Sequence, residues 1–211
     1  MKSRWRALLL VAAAAPLFSA DVPANARVVY SKSFPGSVPP FVEITIDKTG
    51  AALYKEDAKD EEPVKFQLAA SDTSQIFALA DKLDHFSRPL ESGLKVANMG
   101  TKTFRYEGDG RPGEVKFNYS EDVDARSLAD WFERIAETER SYIELERSVR
   151  FDKLGAQNAI LRIEILRDQK RLVAQEQFLP LLDRVVKNES FLHIARDRAA
   201  GLAEGIRAVP K

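Results

Sequence analysis

Phe41-Val-Glu-Ile-Thr-Ile-Asp-Lys-Thr-Gly-Ala-Ala-Leu-Tyr54 is the stretch that decides the fold class. Val42, Ile44 and Ile46 alternate with Phe41, Glu43 and Thr45, the two-residue period of a strand with one buried face. Asp47-Lys-Thr-Gly50 interrupts the alternation, and Gly50 can supply the positive φ of a tight turn. Ala51 to Tyr54 then resumes the strand. The segment reads as a β-hairpin, and it makes the N-terminal half β-rich.

Further strands lie downstream. Val64-Lys-Phe-Gln-Leu68 is another alternating run. Ser71 or Asp72 is placed to cap a helix that carries Ile76, Phe77, Leu79, Ala80 and Leu83. Thr101–Tyr106 and Glu114–Tyr119 form a second hairpin around Gly108-Asp-Gly-Arg-Pro-Gly113. An internal echo links the two regions. Val64-Lys-Phe66 precedes Leu79-Ala-Asp81, and Val115-Lys-Phe117 precedes Leu128-Ala-Asp130. A repeated β-hairpin-plus-helix unit produces this pattern, and so does convergent strand–cap–helix patterning.

From Ala125 the period becomes helical. Leu128, Trp131, Phe132, Ile135, Tyr142, Leu145 and Val149 share one stripe. Asp122 and Asp124 stand before it, where carboxylates suit a helix N-terminus. Further helices are expected over 154–168, over 177–187 with Phe178, Leu181, Leu182, Val185 and Val186 inward, and over 190–207 with Phe191, Ala195, Leu202 and Ile206 inward. The expected fold is therefore α+β. An antiparallel sheet built from two hairpin-plus-helix units precedes a C-terminal helical layer or small bundle.

Residues 1–26 have the order of a secretory signal peptide. Lys2, Arg4 and Arg6 open it, Ala7 to Phe18 is apolar, and small residues follow. The run is shorter than the roughly 20 residues that a membrane-spanning helix needs. Cleavage is expected after Ala26, where Ala24 and Ala26 form an A-x-A pattern, with Ala20 as the competing point. The organisation is then a signal peptide (1–26), a β-rich α+β domain (27–121) and a helical region (122–211). A periplasmic or secreted location follows.

Composition narrows the function. Residues 1–26 hold three of the 32 basic residues and one of the 32 acidic ones, so 29 and 31 remain, a net charge of −2. That balance gives no electrostatic basis for binding nucleic acid. The absence of cysteine excludes disulfides, thiol nucleophiles, cysteine–zinc sites and a lipidated anchor.

No catalytic motif gathers the remaining polar residues. His85 and His193 are the only histidines, with Asp84 beside the first and Asp197 one turn beyond the second. No G-x-S-x-G or H-E-x-x-H accompanies them. Asp57, Asp60, Glu61 and Glu62 lack the spacing of a calcium loop and read as a solvated turn. Arg184, Arg196, Arg198 and Arg207 read as ion-pairing residues on a helix surface. No cofactor or metal is expected.

The most distinctive local segment is Phe34-Pro-Gly-Ser-Val-Pro-Pro-Phe41. Its prolines and glycine preclude regular structure, and its phenylalanines can pin it to the body. The expected contact loops are this one, through Phe34, Pro35, Ser37, Pro39 and Pro40, and the second hairpin's turn, through Asp109 and Arg111. Across Val29–Tyr54 the chain resembles an uncharacterised family of bacterial exported proteins. There a tyrosine-bearing strand leads through a C-F-G-x-C-P-like segment to a strand, a D-x-x-G turn and a further strand. Tyr30, Phe34 to Pro40, Phe41–Ile46, Asp47–Gly50 and Ala51–Tyr54 correspond, while both cysteines of the pattern are missing. The resemblance implies export and an α+β hairpin fold, and no activity.

The leading expectation is a non-catalytic binding or accessory protein of the bacterial cell envelope, with another envelope protein as partner and no membrane anchor in the mature form. A hydrolase with a discontinuous site is the first alternative. A self-associating structural protein, with Trp131, Phe132 and Tyr142 on an exposed stripe, is the second.

Overall fold

Asp47 shapes the turn that the hairpin requires. Its Oδ1 accepts from the Thr49 amide (2.8 Å), the Thr49 hydroxyl (2.6 Å) and the Ala51 amide (3.2 Å). Gly50 has φ +82°, and a Cβ there would stand 2.7 Å from Thr73 Oγ1 and 2.8 Å from the Leu68 carbonyl oxygen. A side chain would be excluded by both conformation and space. This computed structural model describes residues 26–108, 110 and 112–208. The expected signal segment, apart from Ala26, lies outside the described residues, as do Asp109 and Arg111.

Six antiparallel strands form one sheet: β1 (Arg27–Ser33), β2 (Phe41–Asp47), β3 (Ala51–Lys55), β4 (Val64–Gln67), β5 (Thr101–Glu107) and β6 (Gly113–Phe117), in the order β4-β3-β2-β1-β5-β6. Between β4 and β5 runs α1 (Ala70–Lys82), and after β6 come α2 (Val123–Phe151), α3 (Ala156–Asp168), α4 (Leu179–Lys187) and α5 (His193–Arg207). The α+β class and the order of sheet before helices are as expected from the sequence. Among the described residues no helix is long and apolar enough to cross a membrane.

The alternation in the sequence becomes a two-faced sheet. Val28, Tyr30, Ile44, Ile46, Tyr54, Phe104, Tyr106 and Phe117 bury on one face. The other face carries in-plane pairs such as Lys55–Glu43 (3.2 Å) and Arg105–Glu107 (2.8 Å). The echoed tripeptides fall on matching elements. Phe66 of β4 and Phe117 of β6 point into the core from the two edge strands, and Ala80 of α1 and Ala129 of α2 are buried in the helices that follow.

Two boundaries differ from expectation. Helix α1 begins at Ala70, before Ser71 and Asp72, and no side chain caps it. Instead the Thr73 hydroxyl donates back to the Ala69 carbonyl (3.0 Å), and Asp72 sits in the first turn, where its charge still suits the helix dipole. The last helix begins at His193 and not near Ser190, because Asn188 Oδ1 accepts from the Ser190 amide (3.0 Å) and holds that segment as a turn. Phe191 is nonetheless buried.

Helix α2 organises the rest. At 29 residues it is about 43 Å long, at roughly 1.5 Å per residue. Asp122 is its N-cap and accepts from the Asp124 (2.9 Å) and Ala125 (3.1 Å) amides. The Arg88 guanidinium, bonded to Asp122 at 2.5 Å, holds this carboxyl below its usual range, with the two amides assisting. Asp122→Ala is expected to lower stability at pH 7 by about 1–2 kcal/mol, as cap losses do, measured by urea unfolding. No loss would mean that the cap is energetically idle.

The N-terminal half of α2 buries Ala125, Leu128, Phe132 and Ile135 under the sheet, and its C-terminal half buries Leu145 and Val149 against α3, α4 and α5. Between these two cores lies a polar waist of Thr138, Glu139 and Ser141, all buried. The segment joining α3 to α4 clasps it. Arg171 bonds Glu137 (2.6 and 3.2 Å) and Asp130 (3.0 Å), the Val173 amide donates to Thr138 Oγ1 (3.2 Å), and Gln177 Nε2 donates to Glu139 Oε1 (2.8 Å).

Candidate binding groove

The segment after β1 is a built loop. The Phe34 amide donates to the Pro40 carbonyl (2.9 Å), and the Ser37 amide donates to the Phe34 carbonyl (3.0 Å). Ser37 Oγ lies 2.8 and 2.6 Å from the carbonyl oxygens of Phe34 and Pro39. The Val38–Pro39 peptide is cis. Phe34 and Pro39 are half-buried, whereas Pro35 and Pro40 are exposed.

Between this loop and α2 lies a hollow of about 330 Å³. Tyr30, Lys32, Phe34, Pro39 and Val42 form the sheet side, and Glu133, Ala136, Glu137 and Arg140 form the helix side. The helix residues recur at i, i+3, i+4 and i+7, so a single flank of α2 supplies them. Tyr30 lies stacked on Phe132 (centroids 4.8 Å apart, 8° between planes) and is 1% exposed. Its hydroxyl has no hydrogen-bond partner among the described residues. Burial, and then the Glu133 charge, raises its pKa well above the ordinary tyrosine value, so the phenol stays an O–H donor.

The charges in the hollow divide into engaged and loosely held. Glu137 is taken by Arg171, and the hydrogen bond to Glu137 is the main cause of that guanidinium's raised pKa. Lys32 stands 4.0 Å from Glu133, and Arg140 stands 3.9 Å from Glu56, at the outer limit of ion pairing. Two further hollows continue the first along α2. One, of about 600 Å³, shares Glu137 and Arg140 with it and adds Glu144, Arg147 and Arg162. The other, of about 150 Å³, shares Glu133 and adds Lys102, Arg126 and Asp130. Burial lowers the pKa of Lys102, whose ammonium donates to the Asn118 carbonyl (3.0 Å).

The chain matches no protein-family model, no curated protein and no solved structure.

Of the residues expected in contact loops, Phe34, Ser37 and Pro39 line the hollow. The two loops do not share a surface. Ser33 pairs with Thr101 and Arg27 with Glu107, so the Phe34–Pro40 loop and the β5–β6 turn leave from opposite ends of the sheet. The sequence reading missed Lys32, Glu133, Glu137 and Arg140. Their only signal was the spacing of the α2 charges on a flank beside the apolar stripe.

The histidines sit elsewhere. His85 Nε2 is 2.9 Å from Asp81, one turn back in the chain, and not beside Asp84; its ring meets Tyr106 edge-on at 4.2 Å. His193 Nδ1 is 2.6 Å from Asp197. Neither lines the groove. In the acidic loop, Asp57 and Asp60 accept the amides of Lys59 (2.9 Å) and Glu62 (3.0 Å) as local turns. Arg198 pairs with Glu164 of α3, and Arg207 pairs with Asp183 of α4 at 2.7 Å, so these arginines tie helices together. Phe132 is fully buried, and Tyr142 packs edge-on against Phe178, so that stripe faces the interior.

Proposed function

We propose that the protein is an exported, non-catalytic binding protein of the bacterial cell envelope, which seats a partner between the proline loop and α2. The observation that carries this reading is the hollow of about 330 Å³ between the loop and one flank of α2, lined by Phe34, Pro39 and Val42 with Lys32, Glu133 and Arg140. Ser37 and Glu137 are committed to the loop and to Arg171, while Lys32, Glu133 and Arg140 are loosely held. That commitment supports holding a ligand over turning one over. Export rests on the signal-like order of residues 1–26. Ala26 is fully buried with the sheet core, which favours processing after Ala20, since that point leaves the side chain in place.

A photo-crosslinking residue at Val38, 83% exposed at the rim, tests the reading. Irradiation of producing cells is expected to capture a discrete envelope species. The same residue at Glu189, exposed and outside the three hollows, is expected to capture none. N-terminal sequencing of the captured chain is expected to begin at Asp21. Equal capture at both positions, or retention of the chain in the cytoplasm, would overturn the proposal.

A further inference from the structure

We infer that the groove along α2 takes an extended, acidic peptide segment, with one apolar side chain in the middle hollow. The inference rests on the binding reading above and names the partner's chemistry.

Continuity is the first ground. The three hollows follow one another along α2, the middle one sharing Glu133 with one neighbour and Glu137 with Arg140 with the other. From Arg126 to Arg147 the helix rises about 31 Å at roughly 1.5 Å per residue. An extended chain covers that in about nine residues at roughly 3.3 Å each.

Charge is the second ground. Asp130 and Glu137 share the single guanidinium of Arg171, and Glu144 is bonded by Arg162 at 2.8 Å. Among the described residues no carboxylate pairs with Lys102, Arg126 or Arg147, each of which lines the groove. Lys32 and Arg140 are held only loosely, at the distances given for the middle hollow. The uncompensated charge is thus positive at the two ends, while in the middle Lys32 and Arg140 are balanced by Glu133 and Glu56. A partner with carboxylates on either side of an apolar residue matches it, with Phe34, Pro39, Val42 and Ala136 receiving that residue. The chain's own residues 1–26, with Lys2, Arg4 and Arg6 against Asp21, have the wrong sign.

Selection from a random nine-residue display library against the full chain tests this without fixing any peptide sequence in advance. Enriched peptides are expected to be net negative with an apolar residue near the centre. For a synthesised winner followed by fluorescence anisotropy, Arg126→Glu/Arg147→Glu is expected to weaken binding by about tenfold or more, as loss and reversal of charge contacts implies. Enrichment of basic or neutral peptides, no enrichment, or indifference to the double charge reversal would overturn the inference. So would concentration-dependent dimerisation that buries Val38, which would make a second copy the occupant. Discrete capture at Val38 without acidic enrichment would overturn this inference alone. Failure of Val38 capture would remove the binding reading as well.

Discussion

Glu139→Gln is expected to stabilise the protein by about 2 kcal/mol at pH 8 and to leave it unchanged at pH 4, as removal of a buried charge predicts. Glu139 is fully buried in the waist of α2. Its Oε1 accepts from Gln177, and its Oε2 has no partner among the described residues. Burial pushes its pKa from 4.5 up to about 7, with the Gln177 bond pulling in the other direction. Between those values the folded protein holds a proton that the unfolded chain has released. Stability therefore falls as pH rises from about 4.5 to about 7, and it is flat on either side. The shift corresponds to an upper bound of about 3 kcal/mol, and an amide nitrogen left without an acceptor offsets part of it. Glutamine keeps the acceptor that Gln177 needs and does not ionise. Urea unfolding at the two pH values checks this. A difference that is constant with pH would show that Glu139 ionises freely in the native state.

Phe132→Ala is expected to cost about 3–5 kcal/mol, the range for a fully buried aromatic side chain. Its ring carries Tyr30 at 4.8 Å and reaches Phe104 at 6.1 Å, so it joins the sheet to α2 at the floor of the groove. For a chain of this size the loss corresponds to a fall in Tm of roughly 10 °C. Phe151→Ala, at the exposed end of the same helix, is the control and should move stability by less than about 0.5 kcal/mol. Calorimetry of the two variants separates the outcomes. A small shift for Phe132→Ala would mean that Tyr30 and Phe104 close over the cavity.

The secondary structure was largely legible because it depends on periodicity. Val42, Ile44 and Ile46 announced a one-sided strand, and the α2 stripe announced which side would bury. Helix starts were less legible. Asp122 caps α2 as its position suggests, yet Ser71 and Asp72 fall inside α1, because burial of Thr73 and Ile76 sets that start and not a side-chain cap. The left-handed turn at Asp84–Phe86, with φ of 51°, 49° and 66°, had no glycine to signal it. It is held by burial of Leu83 and Phe86, a tertiary effect. The groove was half legible. Phe34, Ser37 and Pro39 stood out by composition, but Tyr30 reads as an ordinary core residue until the missing partner of its hydroxyl is seen. Pairing across the sheet, which sent the second loop to the far end, is long-range information that local patterns do not carry.

The uninterrupted α2 has a consequence for how the protein comes apart. The apolar face of the sheet is roofed by α1 and, over a large part of it, by residues that come after position 121, including Leu128, Phe132 and Val173. Cutting the chain at the sheet–helix boundary would leave that part of the face open to water, and the remaining helices would lose the axis on which they assemble. The two halves are thus partners in a single all-or-none event, not modules that can be exchanged between proteins. Heating should give one calorimetric peak with matching van't Hoff and calorimetric enthalpies, and two resolved peaks would show that the polar waist lets the halves melt separately.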